Sequence, residues 1–244
     1  MSAPVLILGA RSDIARACAH RFAQAGHPLV LAARDAATLE ADAVDLRLRH
    51  GVTVDCVDFD ATDSAGHGAF VDALDPLPAV AICAIGAMGD QLESQRDPVA
   101  AAAVFRANFE GPALILGELA QRFEARGTGT LVGISSVAGE RGRASNYVYG
   151  AAKAGFTAFL SGLRNRLARS PVQVTTVLPG FVATRMTEGM DLPARLLAQP
   201  DEVANAIFRA VEKRRDVIYV RPIWRLIMAV IRALPEFVFK RTRL

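Results

Sequence analysis

The chain has 244 residues, of which 52% are hydrophobic and 22% charged, so it is long and apolar enough to bury one globular core. Its net charge of +3 comes from the last 24 residues, where six cations and one glutamate give +5, so the other 220 residues carry −2. Because the body is nearly neutral, no nucleic-acid groove or nucleic-acid partner is expected.

The cysteines Cys18, Cys56 and Cys83 lie in apolar stretches and have neither metal-ligand spacing nor an even number for disulfides. We therefore expect buried thiols, no metal site and a reducing, cytoplasmic compartment. The N-terminal stretch reaches glycine and charge too early for a signal peptide, and no apolar run approaches the roughly 18 residues of a membrane span.

Short apolar runs alternate with longer helical patterns along the chain. The runs predicted as strands are PVLIL, PLVLAA, VTVDCVDF, AVAICAIG, GTLVGISS, VQVTTVLPG and DVIYV. Predicted helices separate them, including a long one over 98–126, one containing Tyr149 and one over 201–213. Continuous apolar strands separated by helices predict a parallel sheet covered on both faces. The expected fold is α/β, a single Rossmann-type, doubly wound, seven-stranded sheet over residues 1–220, with a helical extension over 221–244 that is not an independent domain.

The first predicted strand runs into GARSDIA, residues 9–15, where a glycine turn leads directly into a helix N-terminus. Such a terminus can hold a pyrophosphate through its free amides. Asp13 and Ala15 stand where a three-glycine fingerprint would have glycines, so this motif alone is weak and a plain turn stays open.

The second predicted strand ends in VLAARD, which places Arg34 beside the expected adenosine ribose, and Arg11 lies in the glycine turn. Guanidinium groups bind phosphate through paired hydrogen bonds, so these residues favour NADP(H). NAD(H) remains the alternative, because the carboxylate of Asp35 could instead hold a ribose hydroxyl.

Tyr149 and Lys153 are four residues apart on a predicted helix, so both side chains point to one side of it. A nearby cation favours the phenolate, and we expect Lys153 to lower the pKa of Tyr149. The same spacing also occurs on ordinary helices, and the rest of the chain must decide between the two readings.

Ser136 in ISS lies thirteen residues before Tyr149, and Asn108 lies upstream in RANFEG. This order of asparagine, serine and Y-x-x-x-K resembles the short-chain dehydrogenase/reductase family over nearly the whole chain. The resemblance implies that Tyr149 protonates a carbonyl oxygen, Ser136 hydrogen-bonds it, Lys153 binds the nicotinamide ribose, and Asn108 orders a relay water. Hydride transfer leaves an alkoxide, which such donors stabilise.

The resemblance also implies the remaining cofactor contacts. Asp60 resembles an adenine-contacting aspartate, and PGFVATRM resembles the loop on the nicotinamide side. The chain departs from the family at Cys83–Gly86 and at Asp13. The expected cofactor residues are Gly9, Arg11, Ser12, Asp13, Ile14, Arg34, Asp60, Ala84, Gly86, Tyr149, Lys153, Pro179, Gly180, Val182 and Thr184.

Two segments follow this loop. Residues 185–200 are expected to close over the substrate with an apolar inner face of Met186, Met190, Leu192, Leu196 and Leu197, or simply to pack as a surface helix. In the extension, Arg221, Arg225 and Arg232 project as one basic ridge, with Trp224, Ile227, Met228, Ile231 and Leu234 around the remainder. That pattern fits an in-plane contact with the inner membrane face or a subunit interface of a homo-oligomer.

The tail and the ISSVAGERGRASNYVYGAAKAGF block also resemble family members that reduce a decaprenylphosphoryl 2-keto-pentose. The function expected is ketone reduction, or its reverse, on such a lipid-linked substrate. The alternatives are a soluble or lipid ketone such as a 3-oxoacyl thioester, and a catalytically silent dinucleotide sensor. A serine hydrolase is disfavoured, because Ser136 lacks a nucleophile elbow and the four histidines, including His67, are expected to be solvated.

Overall fold

A computed structural model describes residues 3–242 of the protein. Its centre is one sheet of seven parallel strands, in the order β3-β2-β1-β4-β5-β6-β7. The predicted α/β fold and strand count are thereby confirmed. The strands are β1 (Val5–Leu8), β2 (Leu29–Ala33), β3 (Val54–Asp58), β4 (Val80–Cys83), β5 (Thr130–Ile134), β6 (Gln173–Pro179) and β7 (Val217–Val220).

Helices cover both faces of the sheet and account for its continuous apolar strands. Along β1, Val5 and Ile7 join one buried cluster while Leu6 and Leu8 join another on the opposite face. The helices are α1 (Asp13–Gln24), α2 (Glu40–His50), α3 (His67–Asp72), α4 (Gln91–Ser94), α5 (Pro98–Phe105), α6 (Gly111–Arg126), α7 (Tyr147–Arg166), α8 (Pro200–Glu212), α9 (Ile223–Ala233) and α10 (Glu236–Phe239).

The strand order reverses at β1, which pairs with β2 on one side and β4 on the other. At such a switch point the loops after neighbouring strands separate and leave a crevice at the carboxyl ends of the strands. Gly9 follows β1 there with a φ of 78°, and a Cβ on it would fall 2.9 Å from Cγ1 of Ile85 in the loop after β4. Only glycine fits this contact without strain.

The helix predicted over 98–126 is continuous but irregular. A π-helical turn, Arg106–Glu110, separates α5 from α6 and contains Asn108. Among the described residues, this run is the one helix that is long and apolar enough to cross a membrane by length and composition. Its residues Ile115, Leu119 and Phe123 are completely buried against the sheet, as in a core helix.

The extension folds back onto the body, and this corrects the expected projection. Trp224 and Met228 on α9 are 4% and 1% exposed and pack against Val137 and Leu178. They are therefore unavailable to a membrane. The outward apolar residues are instead Ile223, Leu226 and Val230, which are 46%, 63% and 58% exposed.

Two of the three arginines of the predicted basic ridge form ion pairs within the protein. Arg221 pairs with Glu202 at 3.0 Å, and Arg232 pairs with Glu140 at 3.2 Å. Arg225 remains exposed, whereas Arg243 and Leu244, the last residues of the expected extension, lie outside the described residues.

Candidate active site

A cavity of about 780 Å³ lies in the crevice, between the carboxyl ends of the central strands and the segments above them. We call it the central cavity. A separate pocket of about 500 Å³ between α8 and β7 contains none of the predicted site residues. The predicted residues that line the central cavity are Ser12, Asp13, Ile14, Ala84, Gly86, Ser136, Tyr149, Lys153, Pro179, Gly180, Val182 and Thr184.

The predicted catalytic side chains come from β5 and α7. Ser136 follows β5 and caps a 3₁₀ turn, accepting a hydrogen bond from the Ala138 amide at 3.1 Å. Lys153 is 4% exposed, and its ammonium donates to the Ile134 carbonyl oxygen at 3.1 Å. This bond uses one of its three hydrogens, and its Nζ lies 5.7 Å from the centre of the Tyr149 ring.

The two neighbouring serines have different surroundings. Ser135 donates to the carbonyl oxygen of Lys153 at 3.0 Å and is 2.6 Å from the hydroxyl of Thr157, so it fixes α7 against β5. Tyr147, the other nearby tyrosine, is 44% exposed. Ser136 and Tyr149 therefore remain as the hydroxyl pair in the cavity.

Burial has the largest effect on the pKa values of Tyr149 and Lys153, and it corrects the expectation that Lys153 lowers the pKa of Tyr149. Desolvation raises the pKa of Tyr149 to about 12, and a side-chain hydrogen bond with Ser136 opposes that rise. Desolvation likewise lowers the pKa of Lys153 to about 8. The expected lowering of the Tyr149 pKa by Lys153 is therefore wrong for the protein alone, where the phenol stays protonated as a proton donor.

Asn108 is completely buried and lies behind Gly86 of the cavity lining. Its amide donates to the carbonyl oxygens of Ala87 at 2.7 Å and Val104 at 2.9 Å, and its Oδ1 accepts from the Ala87 amide at 3.2 Å. A Cβ on Gly86 would fall 2.8 Å from Oδ1 of Asn108 and 3.2 Å from Nζ of Lys153. Asn108 thus positions the segment after β4, and its role with a water stays a prediction.

The phosphate turn explains why the chain tolerates Asp13. Ser12 caps α1, its hydroxyl accepting from the Ala15 amide at 3.1 Å. The Asp13 carboxylate binds Nε of Arg185 at 2.9 Å and the Arg185 amide at 2.8 Å. This pair joins the start of α1 to the segment after β6 and compensates the negative charge near the helix N-terminus.

Four predicted residues other than Asn108 lie outside the cavity lining. Gly9 forms the tight turn beside it, while Arg11, Arg34 and Asp60 are exposed. Asp60 accepts from the amide and hydroxyl of Thr62 at 2.9 and 2.8 Å; these bonds, with a smaller contribution from the charge of Arg34, lower its pKa. The Arg11 and Arg34 side chains have no hydrogen bond or ion pair within residues 3–242.

These features fit a dinucleotide. The glycine at position 9 permits a close approach, the first turn of α1 offers free amides, and Gly86 leaves space between Asn108 and Lys153. Arg34 after β2 and Asp60 after β3 lie further along the same edge of the sheet. The residues present can therefore hold a nicotinamide dinucleotide along the carboxyl edge of the sheet.

A family model for short chain dehydrogenases matches residues 3–193. The chain belongs to this family. An uncharacterized oxidoreductase of Mycobacterium tuberculosis is 41% identical over 98% of this chain and 97% of its own. An uncharacterized oxidoreductase of Streptomyces coelicolor is 36% identical over 97% of this chain and 94% of its own.

Solved structures agree with this assignment. A short-chain dehydrogenase from Sphingobium yanoikuyae in complex with NADPH has a TM-score of 0.81 and 28% identity, covering 96% of this chain and 97% of that one. A bulky-bulky ketone specific alcohol dehydrogenase from Comamonas testosteroni has a TM-score of 0.79 and 26% identity, covering 96% and 95%. This short-chain dehydrogenase is accordingly an NAD(P)-dependent oxidoreductase.

In this short-chain dehydrogenase, the segment after β6 agrees only in part with the predicted apolar lid over residues 185–200. Met186 and Met190 line the central cavity, as expected of an apolar inner face. Leu196 instead packs with the Trp224 cluster, whereas the expectation placed it over substrate. The backbone explains the difference, because the Val182–Ala198 bridge returns the segment to the body before α8 begins.

Sequence reasoning missed several cavity residues of this short-chain dehydrogenase. Gln91 begins the short helix α4, which was not predicted although Asp90 caps it by accepting from the Glu93 amide at 2.7 Å. Arg143 lies in the loop before α7. Gln91 belongs to no recognisable motif, and Arg143, although it lies in the ISSVAGERGRASNYVYGAAKAGF block, was not singled out there; the tertiary contacts reveal both. His67, expected to be solvated, is 1% exposed beside Ala61 and does not line the cavity.

Proposed function

We propose that this short-chain dehydrogenase reduces a ketone to a secondary alcohol, or catalyses the reverse reaction, with Ser136, Tyr149 and Lys153 as catalytic residues. The observation that carries the proposal is their convergence in one cavity that also reaches the N-terminus of α1. An exposed tyrosine or a lysine facing solvent would have removed its basis.

The residues divide the work as follows. The Tyr149 phenol is protonated at neutral pH, and burial raises its pKa further, to about 12; it donates its proton to the carbonyl oxygen. The Ser136 hydroxyl donates a hydrogen bond to the same oxygen and stabilises the developing charge. One hydrogen of the Lys153 ammonium binds the Ile134 carbonyl oxygen, and the other two are left to bind a ribose hydroxyl. A bound nicotinamide dinucleotide would supply the hydride.

NADP(H) is the proposed cofactor. Arg11 and Arg34 are exposed near the expected ribose with no partner among residues 3–242, which suits a 2′-phosphate. The similarity to a dehydrogenase in complex with NADPH supports this choice. NAD(H) is the alternative, since the exposed Asp35 follows directly after Arg34.

The proposed substrate is a polyprenyl-phosphate-linked 2-keto-pentose. Met88, Leu92, Met186 and Met190 give the cavity an apolar wall that suits a lipid-linked ketone. A 3-oxoacyl thioester is the second candidate, supported by an acetoacetyl-CoA reductase of Allochromatium vinosum that is 42% identical over 34% of this chain. A silent dinucleotide sensor is the third, from a different class of protein.

We further propose that the outward face of α9 contacts an anionic membrane surface at the cytoplasmic side. Ile223, Leu226 and Val230 are exposed on that helix, and the exposed Phe237 and Arg225 extend the surface. A homo-oligomer is also proposed. Phe105 at the end of α5 and Phe109 in the π-helical turn are 39% and 37% exposed, and they offer a separate apolar surface for it.

Turnover with each reduced cofactor on a panel of ketones tests the proposed function. The panel contains a farnesylphosphoryl 2-keto-pentose, an acetoacetyl thioester and a bulky neutral ketone. Consumption of NADPH with alcohol formation supports the proposal, and the preferred ketone separates the substrate candidates. Cofactor binding without turnover on any ketone contradicts it and favours the sensor.

A further inference from the structure

The central cavity contains one charged side chain that the preceding chemistry leaves without a partner. Asp13 and Arg185 bind each other, Asp90 caps α4, and Lys153 binds the Ile134 carbonyl oxygen. The remaining charged residue of the lining is Arg143. Its guanidinium group has no hydrogen bond or ion pair within residues 3–242.

Arg143 is not a freely solvated surface arginine. The residue is half-buried, and its Nε is shielded from solvent without a protein hydrogen-bond partner. Burial lowers its pKa, which means that the site disfavours the charge that the guanidinium nevertheless carries. An unpaired, partly desolvated cation costs free energy unless a ligand pairs with it.

A second hydrogen-bond donor in the same lining, the side-chain amide of Gln91, also lacks an acceptor among the described residues. The Oε1 of Gln91 accepts from the Val148 amide at 3.1 Å, which fixes the orientation of its side-chain amide. Its Nε2 is then shielded from solvent without a protein partner. Two hydrogen-bond donors of one cavity therefore lack acceptors among the described residues, and both flank the start of α7.

The surroundings of these donors are apolar. Met88, Leu92 and Val148 belong to the same lining, as do the methionines of the segment after β6. A cation within an apolar cavity suits a ligand that carries one anionic group on an otherwise apolar body. Phosphate is such a group, because its oxygens accept from both a guanidinium group and an amide.

We propose that Arg143 is a specificity-determining residue that binds the phosphate of a lipid-linked substrate, with Gln91 as a second donor. This inference rests on the proposed function and names the substrate group that the cavity selects. Arg143 lies six residues before Tyr149, so the anionic group is held on the side of the cavity formed by the loop into α7.

A binding experiment tests this assignment independently of turnover. Farnesyl phosphate and farnesol, below their micellar concentrations, are titrated calorimetrically into protein saturated with NADPH. We expect the phosphate to bind at least about tenfold more tightly to the wild type, and Arg143→Gln to remove the difference. Arg143→Lys should keep part of it.

Two variants serve as controls. Arg141 is on the same loop but pairs with Glu236 at 2.7 Å, so Arg141→Gln should keep the preference. Arg225→Gln should also keep it, unless the phosphate binds the outward face of α9. Equal binding of both probes to the wild type, an unchanged preference in Arg143→Gln, or a weakened NADPH affinity in that variant would each overturn the assignment. If the wild type prefers the phosphate probe but turns over no ketone, only the proposed function is contradicted.

Discussion

The indole of Trp224 lies directly on Gly180, so close that a Cβ on this glycine would overlap the indole ring atoms Cε2 and Nε1. Trp224 also contacts the Phe181 ring edge-to-face, with centroids 5.1 Å apart. The C-terminal extension therefore supports the loop after β6 that lines the central cavity. The extension thus packs against one wall of the cavity, while the outward face of α9 stays exposed.

The contact predicts a strong effect of Gly180→Ala. The added methyl group must displace Trp224, and we expect at least about a tenfold loss of kcat/KM and a destabilisation of about 1–3 kcal/mol from overpacking. Since Trp224 is the one tryptophan of the chain, its fluorescence reports the displacement. As a control, Gly162→Ala has nothing within 4 Å of its new Cβ and should keep both activity and fluorescence. Unchanged fluorescence in Gly180→Ala would refute the contact.

Removing the proposed proton donor should separate catalysis from cofactor binding. Tyr149→Phe keeps the ring and deletes the hydroxyl, so we expect the turnover number to fall about 10²–10⁴-fold while the NADPH dissociation constant changes little. Tyr147→Phe, at an exposed position on the same helix, should behave as the wild type. Full activity of Tyr149→Phe would remove the basis of the mechanism.

The buried ammonium predicts a pH-dependent stability difference. Burial lowers the pKa of Lys153 from 10.5 to about 8, so the unfolded chain binds this proton more tightly than the folded protein does. The resulting destabilisation is fully present below pH 8 and disappears as the pH rises towards 10.5. It corresponds to about 3 kcal/mol.

Lys153→Met should accordingly be inactive yet at least as stable as the wild type at pH 7. Its advantage should shrink between pH 8 and pH 10, as urea denaturation at several pH values can measure. The stabilities are compared below pH 10. Above that pH, Tyr149 ionises in the unfolded chain but not in the folded protein, where its pKa is about 12, and the folded state therefore loses stability. A variant much less stable than the wild type at pH 7 would contradict the assignment.

Cofactor selection should depend on the free arginines. Arg34→Ala or Arg11→Ala removes a charged partner of the 2′-phosphate. We expect kcat/KM with NADPH to fall about tenfold or more, which follows from about 1.5 kcal/mol per charge-assisted bond. The value with NADH, which has no 2′-phosphate, should change by no more than about two- or threefold. Asp35→Ala is the matched test of the alternative. If NADH is the better coenzyme of the wild type and Asp35→Ala lowers kcat/KM with NADH, the cofactor is NAD(H).

The structure changes how a membrane contact must be tested. Deleting the whole extension would remove Trp224 and Met228 from the core, so it would damage the cavity as well. Leu226→Glu alters only the outward face, and we expect it to lower binding to anionic liposomes about tenfold or more without changing ketone turnover in solution. Leu48→Glu, on the exposed face of α2, is the control. A lost oligomer in light scattering of Leu226→Glu would favour a subunit interface on α9 instead.

The fold was predictable because its information is local. A parallel strand buried on both faces is mostly apolar, as Val5–Leu8 is, and a crossover connection, usually a helix, must follow it to reach the next parallel strand. The catalytic candidates were predictable for a similar reason. Tyr149 and Lys153 share one helix, and Ser136 follows a strand whose end meets that helix.

Tertiary structure decided what depends on distant contacts. Helical projection shows that α9 has an apolar side, but only packing determines that Trp224 faces Gly180 while Leu226 faces solvent. Burial, which no local pattern measures, reverses the expected pKa of Tyr149. No local pattern singles out Arg143, and its significance comes from the absence of an acidic partner among residues 3–242. Sequence periodicity fixes which residues can be buried, whereas desolvation and pairing depend on atoms brought together from far along the chain.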